Sequence, residues 1–196
     1  MPFAPEDLQA IHEVLAPIIG HEAWSVHVGY GACLTIHFGA GTTKTRATRS
    51  GRQWSWTRGE WDIWTDSCVW RIEDATGVLA AYEDPRPLMD SAFARLNGSR
   101  LLSIDLSPTS ADTVFTFDDG VLLRLFSIYM DPDGDQAHWM LFAPTHQVLV
   151  IGPSSLSERT KLKLWCAYTG VPLSRWGALP AAVCDRRATR AGNGHG

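Results

Sequence analysis

No stretch of the 196 residues approaches the ~20 consecutive apolar positions of a membrane-spanning helix. The opening MPFAPEDLQAIHE has no basic segment ahead of an apolar one, so it does not read as a secretory signal. Cysteine is sparse: Cys33, Cys68, Cys166 and Cys184 form no C-x-x-C pair, which removes the usual zinc and disulfide frameworks. Free thiols in a reducing cytoplasm are the expectation. G-x-S-x-G, a Walker loop and a G-x-G-x-x-G between strand and helix are all missing, and with them the signatures of the commonest hydrolases and nucleotide enzymes. Excess charge is also missing, with 17 basic against 21 acidic residues and a net charge of −4. At 45% hydrophobic and 19% charged, the chain is nevertheless too apolar to be disordered.

What the sequence does have is tryptophan: nine, five of them between Trp54 and Trp70. Around them the pattern alternates between helix and strand. Leu8, Ile11, Leu15, Ile18 and Ile19 fall at helical spacing and predict a helix over 5–19, with Pro17 shortening or kinking its last turn. WSVHVGYGACLTIHFG reads as two strands. Ala40 to Arg58 is polar, basic and rich in Gly, Thr and Ser, and predicts a long loop or a hairpin tip. GEWDIWTDSCVWRIED returns to strand, with Trp61 and Trp64 on opposite faces. A helix over 85–97, capped by Asp84, precedes further strands in RLLSIDLS, TVFTF and VLLRLFSIYM, the last two joined at Asp119-Gly120. HWMLFA and VLVIGP follow, and Ser155 with Glu158 opens a capping box for a helix over 156–169.

An internal echo organises these elements. LTIHFG followed by the run from Trp70 resembles VFTFDDG followed by the run from Trp139. The first half carries extra residues, and they fall in the basic stretch. The expected fold is therefore mainly β, with α-helices added: a two-repeat antiparallel sandwich or incomplete barrel with three peripheral helices. One domain over 1–185 would comprise β-meander halves at about 24–84 and 100–153, and 186–196 would be a flexible tail.

GEWDIWTDSCVWRIED, LNGSRLLSIDLSPTSADTVFTFDDG and HWMLFAPTHQVLVIGPSS resemble an uncharacterised family of bacterial proteins that shares a G-x-W-x-L-W…W-R-(I/L) run and a W-M-L-(Y/F)-x-P…V-L-x-(I/V)-G-P run. His146-Gln147 here replaces the usual Asp-Gly turn. The resemblance implies an all-β scaffold of the kind used in small accessory proteins, and it implies no catalytic residues.

Several chemistries compete. Asp131, Asp133 and Asp135 have the spacing of three calcium ligands, but Gly134 comes two positions early and no closing Glu follows, so a solvated turn accounts for DPDGDQ. Trp24, His27, Cys33 and His37 can line a pocket in a β-barrel enzyme or small-molecule binder. The pairs Glu60 with Asp62 and Glu73 with Asp74 read as solubilising charges at strand edges. The unusual feature is KTRATRSGRQWSWTRGEW, where five cations interleave with Trp54 and Trp56 before the first acid. Trp and Arg are the residues that dominate protein-binding hot spots, whereas stacking of Trp on bases would serve a single-stranded nucleic acid. The leading expectation is a non-enzymatic, cytoplasmic binding protein, of an immunity, inhibitor or complex-subunit type. It would engage a protein partner through Arg49, Arg52, Trp54, Trp56, Arg58, Trp61 and Trp64, and require no cofactor and no membrane.

Overall fold

The computed structural model describes residues 3–29, 32–47, 51–128, 137–144 and 148–152. Helix α1 (Pro5–Leu15) starts with Pro5 in its first turn and Glu6 and Asp7 at its positive end, which suits the helix dipole. Pro17 cannot donate a main-chain bond, and the chain tightens there into a 3₁₀ turn over Ala16–Ile18. Helix α2 (Arg86–Leu96) likewise begins at proline, with Pro85 at its N-cap and Pro87 in its first turn, but has no acid there. Asp84 is not the cap: its Oδ2 instead accepts from the Ala81 N–H at 2.7 Å and closes the preceding turn.

Twelve strands complete the described residues: β1 (Ala23–Val28), β2 (Leu34–Phe38), β3 (Thr42–Ala47), β4 (Gln53–Arg58), β5 (Trp61–Thr65), β6 (Cys68–Asp74), β7 (Gly77–Ala81), β8 (Leu101–Leu106), β9 (Thr113–Phe117), β10 (Leu122–Ser127), β11 (Trp139–Phe142) and β12 (Val148–Ile151). They form two antiparallel five-stranded sheets, in the orders β1-β2-β5-β11-β12 and β7-β6-β10-β9-β8, and the separate pair β3-β4. Neither large sheet closes on itself, so the fold is not a barrel. Two α-helices lie among the described residues. The third expected helix (156–169), the Asp131, Asp133 and Asp135 turn, His146-Gln147 and the 186–196 tail lie outside them. Among the described residues no helix is long and apolar enough to cross a membrane.

Residues 24–84 do not stay in one meander. After β5 the chain leaves the first sheet at Asp66 and Ser67, whose N–H groups bond to the carbonyls of His138 and Ala137, and β6 and β7 join β8–β10 instead. Strands β11 and β12 make the reverse exchange. Each large sheet therefore contains three strands from one half and two from the other.

The registers of the halves correspond closely. Ile11, Leu15, Ile18 and Gly20 have the same spacing as Met89, Phe93, Leu96 and Gly98, and the apolar members of both sets are buried. Gly20 N–H donates to the Leu101 carbonyl and Gly98 N–H to the Ala23 carbonyl, both at 2.8 Å, on either side of the Glu22–Arg100 bridge. Register shifts interrupt β1–β2 between Trp24 and His27 and β8–β9 between Leu101 and Ser103. Ile36 lies opposite Ile63 and Phe115 opposite Leu123; Ile72 lies opposite Ala80 and Leu141 opposite Leu149. Trp70, third in β6, and Trp139, first in β11, are fully buried rings packed on Phe93 and Phe115 respectively. Their indole N–H groups donate to the Ala32 carbonyl and to Thr113 Oγ1, each at 2.9 Å.

Where sheet faces turn outward, the two sheets differ. On β6 and β10, Glu73 is held by Arg124 and by Arg71, the latter at 2.9 Å. Desolvation pushes the Glu73 carboxyl up, but hydrogen bonds and charge from Arg124, then Arg71, outweigh it and hold it below the ordinary carboxylate range. Two outcomes follow. Trp139→Ala lowers the unfolding free energy by about 3–5 kcal/mol in chemical denaturation, against less than about 0.5 for exposed Leu102→Ala. Because the Glu73 pKa is lowered on folding, its contribution is fully present above about pH 5 and lost as pH falls through its depressed value. The Tm gap between the native protein and Glu73→Gln, measured across pH, should therefore close towards acid.

Candidate functional site: a clamped aromatic–basic hairpin

The basic stretch is not a loop. Thr42 to Ala47 pairs with Gln53 to Arg58 in a regular antiparallel register, with Thr42 opposite Arg58, Lys44 opposite Trp56 and Arg46 opposite Trp54. This β3–β4 hairpin stands apart from both large sheets. Alternation gives it two unlike faces. One carries Thr43, Thr45, Ser55 and Thr57, whose hydroxyls meet across the strands at 3.3 and 2.9 Å. The other carries Trp54, Trp56 and Lys44. Trp54 and Trp56 stack, with ring centroids 4.7 Å apart and planes at 22°, and Trp54 is 52% exposed.

A two-stranded hairpin is marginal by itself in water, and this one is held at its root. Arg58 ends β4 on the same face as the tryptophans, and its guanidinium bonds to Asp62 Oδ2. Asp62 lies on β5 opposite His37 of β2, and the His37 Nδ1–H donates to Asp62 Oδ1. The Gly59 N–H donates to the same oxygen at 3.0 Å. Both oxygens of a carboxylate that is only 1% exposed are thus engaged. The imidazole in turn packs on Trp24, 4.9 Å between centroids, and the Trp24 indole donates to the Gly39 carbonyl at 2.9 Å. Gly59 has no room for a side chain: a Cβ there would come 2.7 Å from the Trp61 carbonyl and 2.9 Å from His37 Cβ. The strands, the turn and the ionic cluster therefore fix one direction for the hairpin.

Beyond Arg58 the aromatic surface continues onto the outer face of the first sheet. The guanidinium lies 4.9 Å from the Phe142 ring and 5.9 Å from Trp64, and these two rings pack 4.6 Å apart. Trp64 Nε1 is buried there with no acceptor among the described residues. The matching outward positions of the second sheet hold Arg124, Arg71 and Glu73 where the first has Trp64, Met140 and Phe142. The outer face of the second sheet thus carries an Arg–Glu cluster where the first carries Trp64 and Phe142 beside Asp62.

The expected binding residues accordingly separate. Arg52 and Trp54 are exposed, Trp56 is half-buried beneath Trp54, and Trp64 lies on the outer face. Arg58 belongs to the clamp. Trp61 turns the other way, against the core and His21, 4.8 Å between ring centroids. Arg49 lies outside the described residues. Of the alternative pocket, His27 and His37 approach to 6.0 Å, but His37 Nδ1 is committed to Asp62 and His27 Nδ1 bonds to the Ser25 carbonyl at 2.7 Å. Cys33 is half-buried just before β2. Among the described residues no three His, Cys, Asp or Glu side chains gather as a metal site. The buried Cys68 thiol is pushed up to about 12 by desolvation and then by the Asp66 charge, which leaves it inert as a nucleophile.

Asp62 was misread as a solubilising charge. Strand register sets its place: on β5 it alternates with buried Ile63, lies opposite His37 of β2 and meets Arg58 from the end of β4. Removing it strands a buried histidine and an arginine. Asp62→Ala should cost about 3–5 kcal/mol of unfolding free energy, measured by denaturant titration, because one member of a buried ionic cluster is lost while the others remain. A loss below about 1 kcal/mol would mean that the clamp is not formed in solution.

Comparison of the chain with protein-family models, with curated proteins and with solved structures finds no match.

Proposed function

We propose that the protein is a non-enzymatic binding protein that engages a protein partner with the Trp54–Trp56 face of its hairpin. The observation that carries this reading is the stacked tryptophan pair, left 52% open at Trp54 on a hairpin whose root is clamped. A large indole held in water on a fixed strand forgoes the hydrophobic gain of burial, and becomes a ready anchor for a complementary surface. Holding the ring in place beforehand removes part of the ordering cost that association otherwise carries. Arg52 and Lys44 supply charge beside it. An immunity, inhibitor or complex-subunit role suits a scaffold whose distinctive part is an appended interaction element.

The scaffold itself we read as a sandwich of two copies of one unit, helix followed by five strands, which exchange their last two strands. The equal helix spacings, the reciprocal bonds about Glu22 and Arg100, and the matched tryptophans support this. In that reading the hairpin is an insertion in the first copy, since Phe117 to Val121 turns tightly where Phe38 to Trp61 carries β3 and β4.

The test is affinity capture from the native host with the intact protein and with Trp54→Ala/Arg52→Glu as baits. Arg52→Glu should change the unfolding free energy by less than about 0.5 kcal/mol and Trp54→Ala, which loses the stacked pair, by about 1 kcal/mol, so both baits stay folded. A specific partner retained by the native bait should be lost from the variant. If the variant keeps that partner, the hairpin is not the binding element.

A further inference from the structure

Strand β3 pairs with β4 along one side and, among the described residues, with no strand along the other. Such an edge offers a row of main-chain donors and acceptors to any extended chain that reaches it. Two features narrow which chain that is. Lys44 is exposed on β3, on the same face as Trp54 and Trp56. Between Ala40 and Gly59 there is no acidic residue. Among the described side chains of this stretch Arg58 is paired with Asp62, while Lys44 and Arg52 are exposed and in no ion pair, in a chain whose net charge is −4.

A second copy of the hairpin is a poor occupant, because it would set cations opposite cations across the new pair of strands. A single-stranded nucleic acid is also disfavoured. The two indoles are stacked on each other at 4.7 Å, which leaves no space for a base between them. An extended acidic segment meets both requirements, with a carboxylate opposite Lys44 and small hydroxyl residues beside Thr43 and Thr45.

Resting on the hairpin as the binding element, we propose that the free edge of β3 takes an acidic, extended segment of a protein partner as a third strand. The probe is a labelled synthetic peptide of about nine residues alternating Glu and Thr, titrated into the full chain and read by fluorescence anisotropy. Its controls are the same peptide with Lys for Glu, the Glu peptide N-methylated at alternate amides, and a short oligothymidylate. The Glu peptide should bind, weaken with salt between about 50 and 200 mM, and lose about tenfold in affinity to Lys44→Glu. The Lys peptide and the N-methylated peptide should not bind, the latter because its amides can no longer enter the ladder.

Failure of the Glu peptide to bind, or binding that survives N-methylation or Lys44→Glu, overturns the proposal. Binding by the oligothymidylate alone also overturns it and turns the site over to nucleic acid. Captured partner that is lost with Trp54→Ala yet fully kept by Lys44→Glu leaves the hairpin as the binding element and removes strand addition at β3.

Discussion

A carboxylate shut away from water is tolerated only when its oxygens are matched, and Asp62 shows how much structure can be organised around one. Its partners come from the end of β4, from the turn after it and from β2, so one buried side chain fixes the join between an exposed hairpin and the first five-stranded sheet. The corresponding position in the other sheet is Leu122, which faces Glu73 and Thr116 and anchors no insertion. There the chain turns at Gly120, with the Phe117 N–H bonded to the Val121 carbonyl. The buried charge and the hairpin occur together, which is what a clamp evolved for that hairpin would require.

The core around this join needs no such device. Trp70 in β6 and Trp139 in β11 each fill a buried site soon after the chain has passed from one sheet to the other, and each has its polar atom satisfied. Their burial ties the two exchanged strand pairs to the sheets they join, because neither ring can leave its site without exposing a large apolar area. Rigidity of the core and rigidity of the hairpin root are therefore continuous. Trp24 touches His37 on the outside of the same strand whose Ile36 and Phe38 lie in the core.

Much of this was readable in the amino-acid order. Period-two alternation in LTIHFG and TVFTF placed the core strands, and the helix over 85–97 differs from the structure by a residue at each end, as frayed termini do. The positions of Trp70 and Trp139 followed from their neighbours. Two things were not readable, and a third only in part. The exchange of strands between sheets depends on contacts between Asp66 and His138, far apart in sequence, which no local pattern reports. The basic stretch was legible only as a long loop or a hairpin tip, because Thr, Ser and Gly signal turns, yet Thr43, Thr45, Ser55 and Thr57 are β-branched or paired hydroxyl residues that knit a regular ladder. Asp62 looked solvated because acids usually are; its burial is decided by Arg58 and His37, brought together only by register.

The central claim is that the hairpin, held outward by its clamp, is the surface that meets the partner. Hydrogen–deuterium exchange of the intact protein, alone and with its captured partner, reads this most directly. The account predicts slowed exchange across Thr42–Arg58, with little change in α1 and β8. Protection that appears elsewhere while Thr42–Arg58 exchanges as in the free protein would contradict it.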